Sequence, residues 1–506
     1  MKKLVFMILI TAVLAAAGAE PAPSATGAAA SDTAQINEDN GKNARQVEVQ
    51  SAPEAQKGSG ETPEQKKEEL DEIEKARQAL QYGLESEILE VTGKIDKQDF
   101  EALQNDFIRL VTETKSAAVR EGLFALYQKY DNALLTEYGL KLLQDYDNQQ
   151  RTLVKAVLSY LSAVKPELGT ELNEALRKII TEETAEYGAE AIAVLGETGG
   201  SNEAVFLAEY YDTFTLEDAK QELILKQAIA SALEKLHSED IRDFLLEHAR
   251  DENENTYIRA SAVAGLAQMG GADIVPLLGV FFEQRDPLLR EAAMRGAAAF
   301  DTEETRKLVL QGFKDGSYKV RLEALKAVQK TKQQEAAPYV LYRAKYDPTE
   351  AIRLAAVETL AILNTAEGNA WLSETFCDPK KSEKLRIAIL AAAFKHNFAV
   401  IAGDVDRIVL QTVTDTKRKK LRYELGKEIA KHENTATAEI CKAFLQSDDV
   451  LTESIGLDMF KTNRYAQARP FVETIAQDEK QGALQRRAQR LLKSPPPDTE
   501  SGSVVL

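Results

Sequence analysis

Enzymes work most often through histidine, cysteine or paired carboxylates, and this chain is sparing with the first two. Its four histidines are His237, His248, His396 and His432. No two of them lie at i, i+3 or i+4, the spacing that turns two imidazoles toward one metal ion on a helix. Only His432-Glu433 forms a His-Glu dipeptide. There is no Gly-rich phosphate loop, no G-x-S-x-G and no H-E-x-x-H. Carboxylates are plentiful, but chance Glu pairs occur on any polar helix and none is set apart here. No catalytic, cofactor-binding or metal-ligating residue follows, and no cofactor is expected. An active site collected from distant helices leaves no local motif, so an enzyme or enzyme subunit with a dispersed site stays as one alternative function.

Binding chemistry is better marked. Residues 380–431 carry thirteen Lys and Arg against six Asp and Glu, inside a chain of net charge −18. The tightest cluster is Lys417, Arg418, Lys419 and Lys420, which falls in a turn and is expected to be exposed. Such a patch suits an acidic partner protein or an anionic envelope polymer or lipid; a merely solvated turn is the competing reading. Eight tyrosines crowd the first half: Tyr127, Tyr130, Tyr138, Tyr146, Tyr160, Tyr187, Tyr210 and Tyr211. Tyrosine serves interfaces well because it brings area at little rotamer cost, and it serves equally well half-buried between helices with a wet hydroxyl. Trp371 stands alone in an amphipathic stretch and is expected in the core. The overall acidity, with a pI near 5.0, argues against general nucleic-acid binding, which needs a basic face.

The elements that position these residues are helices. Alanine and aliphatic residues are frequent, while 14 prolines and 27 glycines are few for 506 residues. Lys2 and Lys3, the apolar stretch Leu4 to Ala16, and Ala17-Gly18-Ala19 read as an export signal over 1–19 with a cleavage site. The apolar stretch is shorter than the roughly 20 residues a membrane span needs. No cysteine follows that would take a lipid, and no later segment is apolar enough to span, so a periplasmic or secreted product is expected. Residues 20–61 and 494–506 are polar and poor in large apolar side chains, and read as a disordered linker and tail.

Order starts at Thr62-Pro63-Glu64-Gln65, an N-cap with proline in the first turn. Leu70, Ile73, Leu80, Leu84 and Ile88 then predict one helix over 64–92, and Asp96 opens a second through Phe100, Leu103, Phe107 and Leu110. This pair, within 62–113, is expected to cap the helices beyond it or to self-assemble. From about residue 114 the chain repeats. The clearest register is Ile258-Arg259, Leu289-Arg290, Val320-Arg321, Ile352-Arg353, Leu385-Arg386 and Leu421-Arg422, with arginines 31, 31, 32, 33 and 36 residues apart. Val119-Arg120, Val154-Lys155, Tyr187-Gly188 and Leu225-Lys226 hold the same place upstream. An acidic turn precedes several pairs, as at Asp286-Pro287, Asp315-Gly316, Asp347-Pro348 and Asp378-Pro379, and an alanine-rich helix follows each. The two cysteines, Cys377 and Cys441, are separated by a whole repeat, too far for a disulfide, and are expected to be buried thiols.

A period of 31–36 residues holding two helices is the mark of a solenoid. The pattern Asp-Pro, apolar-Arg, alanines, Leu-Gly resembles the HEAT repeat, in the short bacterial form named after phycobilisome lyases, over 114–493. Tetratricopeptide repeats share the length but not the motif. The resemblance implies an all-α, right-handed α-solenoid of about eleven helical hairpins. It also implies a non-catalytic platform whose concave face, lined by second helices, holds a protein partner. Some HEAT relatives are di-iron hydroxylases, which need several His-Glu pairs; others attach bilins or excise alkylpurines inside cells, which export would preclude. Arg120, Arg259, Arg290, Arg321, Arg353, Arg386 and Arg422 are expected to be structural, each reaching an adjacent turn where a guanidinium fork meets an Asp or carbonyls. The function expected is an exported scaffold using that face and the basic patch. A self-assembling part of an envelope complex is the further alternative.

Overall fold

A computed structural model describes residues 63–493. The expected signal peptide, linker and tail, and the Thr62 cap, lie outside those residues. The described chain is helical throughout: 26 α-helices and seven short 3-10 turns, with no strand among them. From Ala117–Lys129 and Thr136–Gln144 to Val450–Asn463 and Arg469–Gln477 the helices form eleven successive hairpins, closed by the half-unit Ala483–Lys493.

Each hairpin is written locally. In the Thr256–Met269 helix, Asn255 takes the Tyr257 amide at the start. Ile258 to Ala267 are all buried, and Gly270, at φ 83°, ends the helix. Asp286 caps its helix as Asn255 does, while Asp315, Asp347 and Asp378 stand ahead of the N-cap residues Ser317, Thr349 and Ser382 and fold the turn that leads in; each of the four accepts the N–H two residues on at 2.7–2.9 Å. At the far end, Lys165, His237, Lys332, Asn364 and Arg464 take left-handed backbone after the first helix of a hairpin. One such residue satisfies a helix-end carbonyl and turns the chain toward the second helix.

Alone, a hairpin leaves an apolar face wet, so the hairpins stack and share one core running from Leu80 to Leu491. First helices pack on first helices of the next unit more closely than second helices do on second. Small residues permit the approach: a Cβ on Gly196 would lie 2.7 Å from the Ala232 Cβ and 2.8 Å from its Cα. Glu85–Lys94 and Lys97–Glu113 form one more hairpin, and Glu85–Lys94 packs on Ala117–Lys129 as later first helices pack on each other.

The single helix expected over 64–92 is a correction. It is two helices, Pro63–Tyr82 and Glu85–Lys94, and Leu84 between them is 71% exposed. A Cβ at Gly83 would sit 2.4 Å from the Ala79 carbonyl oxygen, and Leu84 is extended, with its N–H donated to Glu87 at 2.7 Å. The apolar period ran on through a break that glycine had already marked.

Candidate functional site

The repeat arginines lie along the seam between hairpins. Arg321 is 5% exposed and Asp347 1%. The Arg321 fork donates Nε and Nη2 to the two Asp347 oxygens at 2.8 Å each, while Nη1 donates to the carbonyls of Asp315 and Gly316. Arg290 repeats the geometry one unit earlier, meeting Asp315 at 2.7 and 3.0 Å and the carbonyls of Gln284 and Arg285. Asp315 and Asp347 therefore each fold the turn before their own helix and hold the arginine of the preceding unit. Arg422 donates to the carbonyls of Thr412 and Val413 and stands 3.4 Å from Asp449. Arg353 donates only to the carbonyls of Asp347 and Pro348. Arg259 donates to the Ala249 carbonyl and lies over Phe281. Arg386 donates to the Phe376 carbonyl at 2.7 Å and lies over that ring. Arg120 lies over Tyr138.

These contacts shift the carboxylates. Burial works to raise Asp347, but the bonds from Arg321 and the Thr349 amide, with the Arg321 charge, hold it below its ordinary value. Asp315 is held down in the same way by Arg290 and the Ser317 amide. At another seam, burial of Glu254 is overridden by hydrogen bonds from His248, Tyr211 and the Asn255 amide, which bring it to about 2. A depressed carboxyl contributes stability that is present above its unfolded pKa and disappears as pH falls through the folded one. Stability should therefore drop as pH falls from 4.5, the ordinary Glu value, toward 2. Glu254→Gln should flatten that part of the curve in thermal melts. Parallel curves for the two proteins across the window would remove this cluster as a cause.

The basic cluster is partly neutralised by its own fold. Lys417 is exposed in the 3-10 turn Thr416–Arg418, and its backbone N–H goes to Asp415. Arg418 pairs with Asp415 at 3.3 Å, Lys419 with Asp449 at 3.0 Å and Lys420 with Glu383 at 3.9 Å. Lys419 and Lys420 stand in the first turn of the Lys419–Ile429 helix, not in the turn before it.

Of the two readings of the tyrosines, the one between helices holds. Tyr127, Tyr146, Tyr160, Tyr187 and Tyr211 are buried and Tyr130, Tyr138 and Tyr210 partly buried. Their hydroxyls staple hairpins: Tyr130 to the Ile95 carbonyl, Tyr160 to the Asn132 carbonyl and Leu135 amide, Tyr210 to the Ile180 carbonyl. Trp371 is partly buried against the core. Both cysteines are free, Cys441 buried as expected but Cys377 only partly so, with Arg407 3.0 Å from its sulfur. The basis of that difference is position: Cys377 ends its helix, while Cys441 sits inside one.

The exposed aromatics are Tyr82 and Tyr318, each at a helix end, and a pair on one second helix. In Ala337–Tyr346, Val340 and Ala344 face inward, and Tyr342 and Tyr346, i and i+4 on the other side, are 54% and 66% exposed with centroids 5.2 Å apart. Arg343 lies over Tyr342 and also donates to Asp347, tying this surface to the arginine seam. Val280, on the second helix Ile274–Phe282, is 56% exposed. The helical period of Ala337–Tyr346 contains this signal, two tyrosines opposite the buried pair. Two shallow hollows, each about 230 Å³, lie between neighbouring units, one at Gln144 and Lys178, the other at Asp286 and Tyr318. Among the described residues no His, Cys, Asp and Glu group is placed to hold a metal ion, and no helix is long and apolar enough to cross a membrane.

A family model described as spirochaete HEAT repeat protein matches residues 80–491. The match takes in the hairpin before residue 114, where the sequence period is faint. No curated protein matches the chain. Among solved structures, Kap121p is similar at 9% identity and a TM-score of 0.35, over 85% of this chain and 54% of its own. The YibA protein of E. coli is similar at 12% identity and a TM-score of 0.29, over 69% of this chain and 99% of its own. An engineered protein is similar at 14% identity and a TM-score of 0.27, over 77% and 98%. The chain spans about half the length of Kap121p. With repeating hairpins, a shared core and a family model that runs from residue 80 to 491, the chain belongs to the spirochaete HEAT repeat proteins.

Proposed function

We propose that this chain is an exported, non-catalytic scaffold that holds a protein partner on its second-helix face and on the basic segment 380–431. The observation that carries the reading is the Tyr342–Tyr346 pair with Arg343 laid over it. Tyrosine and arginine dominate binding hot spots because they bring large, pre-ordered area with a polar handle. Arg343 is held to Asp347 and lies over Tyr342, so this side chain costs little further ordering on association. The exposed Lys417 and Lys420 add a charged flank for an acidic partner. Lys2 and Lys3, the apolar stretch Leu4 to Ala16 and Ala17-Gly18-Ala19 support action outside the cytoplasm.

The test is affinity capture from lightly cross-linked cells with the full chain and with Tyr342→Ala/Tyr346→Ala. A stoichiometric partner should be lost from the double variant, by roughly 30-fold or more in affinity for two hot-spot side chains. Its circular dichroism and melting should be unchanged, because both rings are largely in solvent. Equal recovery with both proteins would sink the aromatic face.

A further inference from the structure

The second helix Ala337–Tyr346 carries two exposed rings with cations beside them. Pro338 is exposed one turn before Tyr342, and Arg343 lies over that ring. Lys345 is exposed on the same helix. Lys314, exposed just past the preceding second helix, reaches the Tyr339 ring at 5.7 Å. Neither lysine meets a carboxylate among the described residues, so both charges are open to a ligand. Tyrosine faces take proline, whose ring packs on them and which has no N–H to desolvate, and free lysines take carboxylates. The sequence puts both together in one place. Pro495-Pro496-Pro497 are its only consecutive prolines, Asp498 and Glu500 follow, and residues 494–506 hold no Lys or Arg. These residues lie outside the described ones. Within one chain they cannot reach the tyrosines. Four second helices, Ala366–Cys377, Ala402–Thr414, Ala438–Leu445 and Arg469–Gln477, stand between Ala337–Tyr346 and Ala483–Lys493. Packed helices are about 8–10 Å apart, which makes the separation on the order of 40 Å. Pro495 comes two residues after Lys493, about 7 Å of extended chain.

We propose that the Tyr342–Tyr346 face receives residues 495–500 of a second copy of this chain, with the prolines across the two rings and the carboxylates of Asp498 and Glu500 on Lys345 and Lys314. The inference rests on the scaffold reading of this face and names its partner. The rings suit the prolines: their centroids are 5.2 Å apart and their planes tilted by 54°, a stepped apolar surface for neighbouring pyrrolidine rings. Consecutive prolines are already restricted in φ, so they lose little chain entropy on docking. The charges match as well. A chain of net charge −18 repels an acidic segment over most of its surface, and admits it where Lys314, Arg343 and Lys345 gather. Segment and face are different surfaces of each copy, so the contact is heterologous and adds copies head to tail.

A fluorescein-labelled peptide of residues 494–506 tests this by anisotropy on the full chain. The receptor carries Pro495→Ala/Pro496→Ala/Pro497→Ala, so that its own segment does not compete. Adding Tyr342→Ala/Tyr346→Ala should weaken binding roughly 10-fold or more. Adding Lys314→Glu/Lys345→Glu should weaken it roughly 3- to 10-fold, and binding should fade as salt is raised. All four side chains are exposed, so circular dichroism should not change. Sedimentation velocity reads the same contact without a label. The mean mass of the native chain should rise with concentration, and that of the triple proline variant should stay at the monomer. Absence of peptide binding, peptide affinity unchanged by the tyrosine variant, or equal self-association of the native and triple proline chains overturns the proposal. If a captured protein is lost from Tyr342→Ala/Tyr346→Ala while the peptide fails to bind, this inference falls and the aromatic face stands. If that variant captures and binds as the parent does, both fall.

Discussion

Arg321→Ala should destabilise the middle of the array by about 3–5 kcal/mol, the usual cost of removing one partner from a buried ion pair. Asp347 would be left 1% exposed without its fork, and the carbonyls of Asp315 and Gly316 would each lose a donor. Arg343 would remain on Asp347 at 3.3 Å as a weaker replacement. Because units touch only neighbours, the loss should be local and split urea unfolding, followed by circular dichroism, into two transitions. The double substitution Arg321→Met/Asp347→Leu should recover most of the loss, since an apolar pair leaves no buried charge behind. A single variant that melts within about 1 kcal/mol of the parent would show that the pair contributes little.

Tyr160→Ala should cost about 3–5 kcal/mol, as for other fully buried aromatics. The ring is fully buried and packs on Phe124 with centroids 5.3 Å apart. Its hydroxyl donates to the Asn132 carbonyl at 2.9 Å and accepts from the Leu135 amide at 3.2 Å, pinning the loop of the preceding hairpin. Tyr160→Phe isolates that second role, and should cost about 1–3 kcal/mol for the two loop groups left unsatisfied. Melts of the pair separate ring from hydroxyl. If Phe were as stable as Tyr, the loop would have to find its partners elsewhere.

The repeat was legible because stacking imposes it. A close helix crossing needs alanine or glycine, a helix start needs an acceptor, and a buried fork needs an acceptor in the next turn, so all three recur at one period. What the chain hides is pairing across units. Tyr160 and the loop it pins are 28 residues apart at Asn132, and Tyr130 and Ile95 are 35 apart. Nothing at either position alone says whether such a tyrosine faces its neighbour or solvent. The same distance concealed the neutralisation of Lys419, whose Asp449 lies 30 residues on, though the aspartate before each helix was in plain view. The break at Gly83 is masked for a simpler reason: Leu84 fits a helical period that the backbone does not follow. The aromatic pair Tyr342 and Tyr346 needed only the helical wheel of its own short helix.

The double duty of Asp315 and Asp347 bears on how such a chain lengthens and shortens over generations. Excising residues 291–321 removes Arg321 with the Asp315 that held Arg290, and brings Asp347 to 26 residues after Arg290, the separation at which it now meets Arg321. Duplication of the same stretch restores the same match. A gene carrying this array can gain or lose that unit in one recombination event without leaving a stranded charge, so long as the cut respects the period. The long unit after Arg386 is the exception, since its spacing matches no neighbour. Copying it would carry that odd spacing along, and selection should hold the unit in place and single while those around it are exchanged.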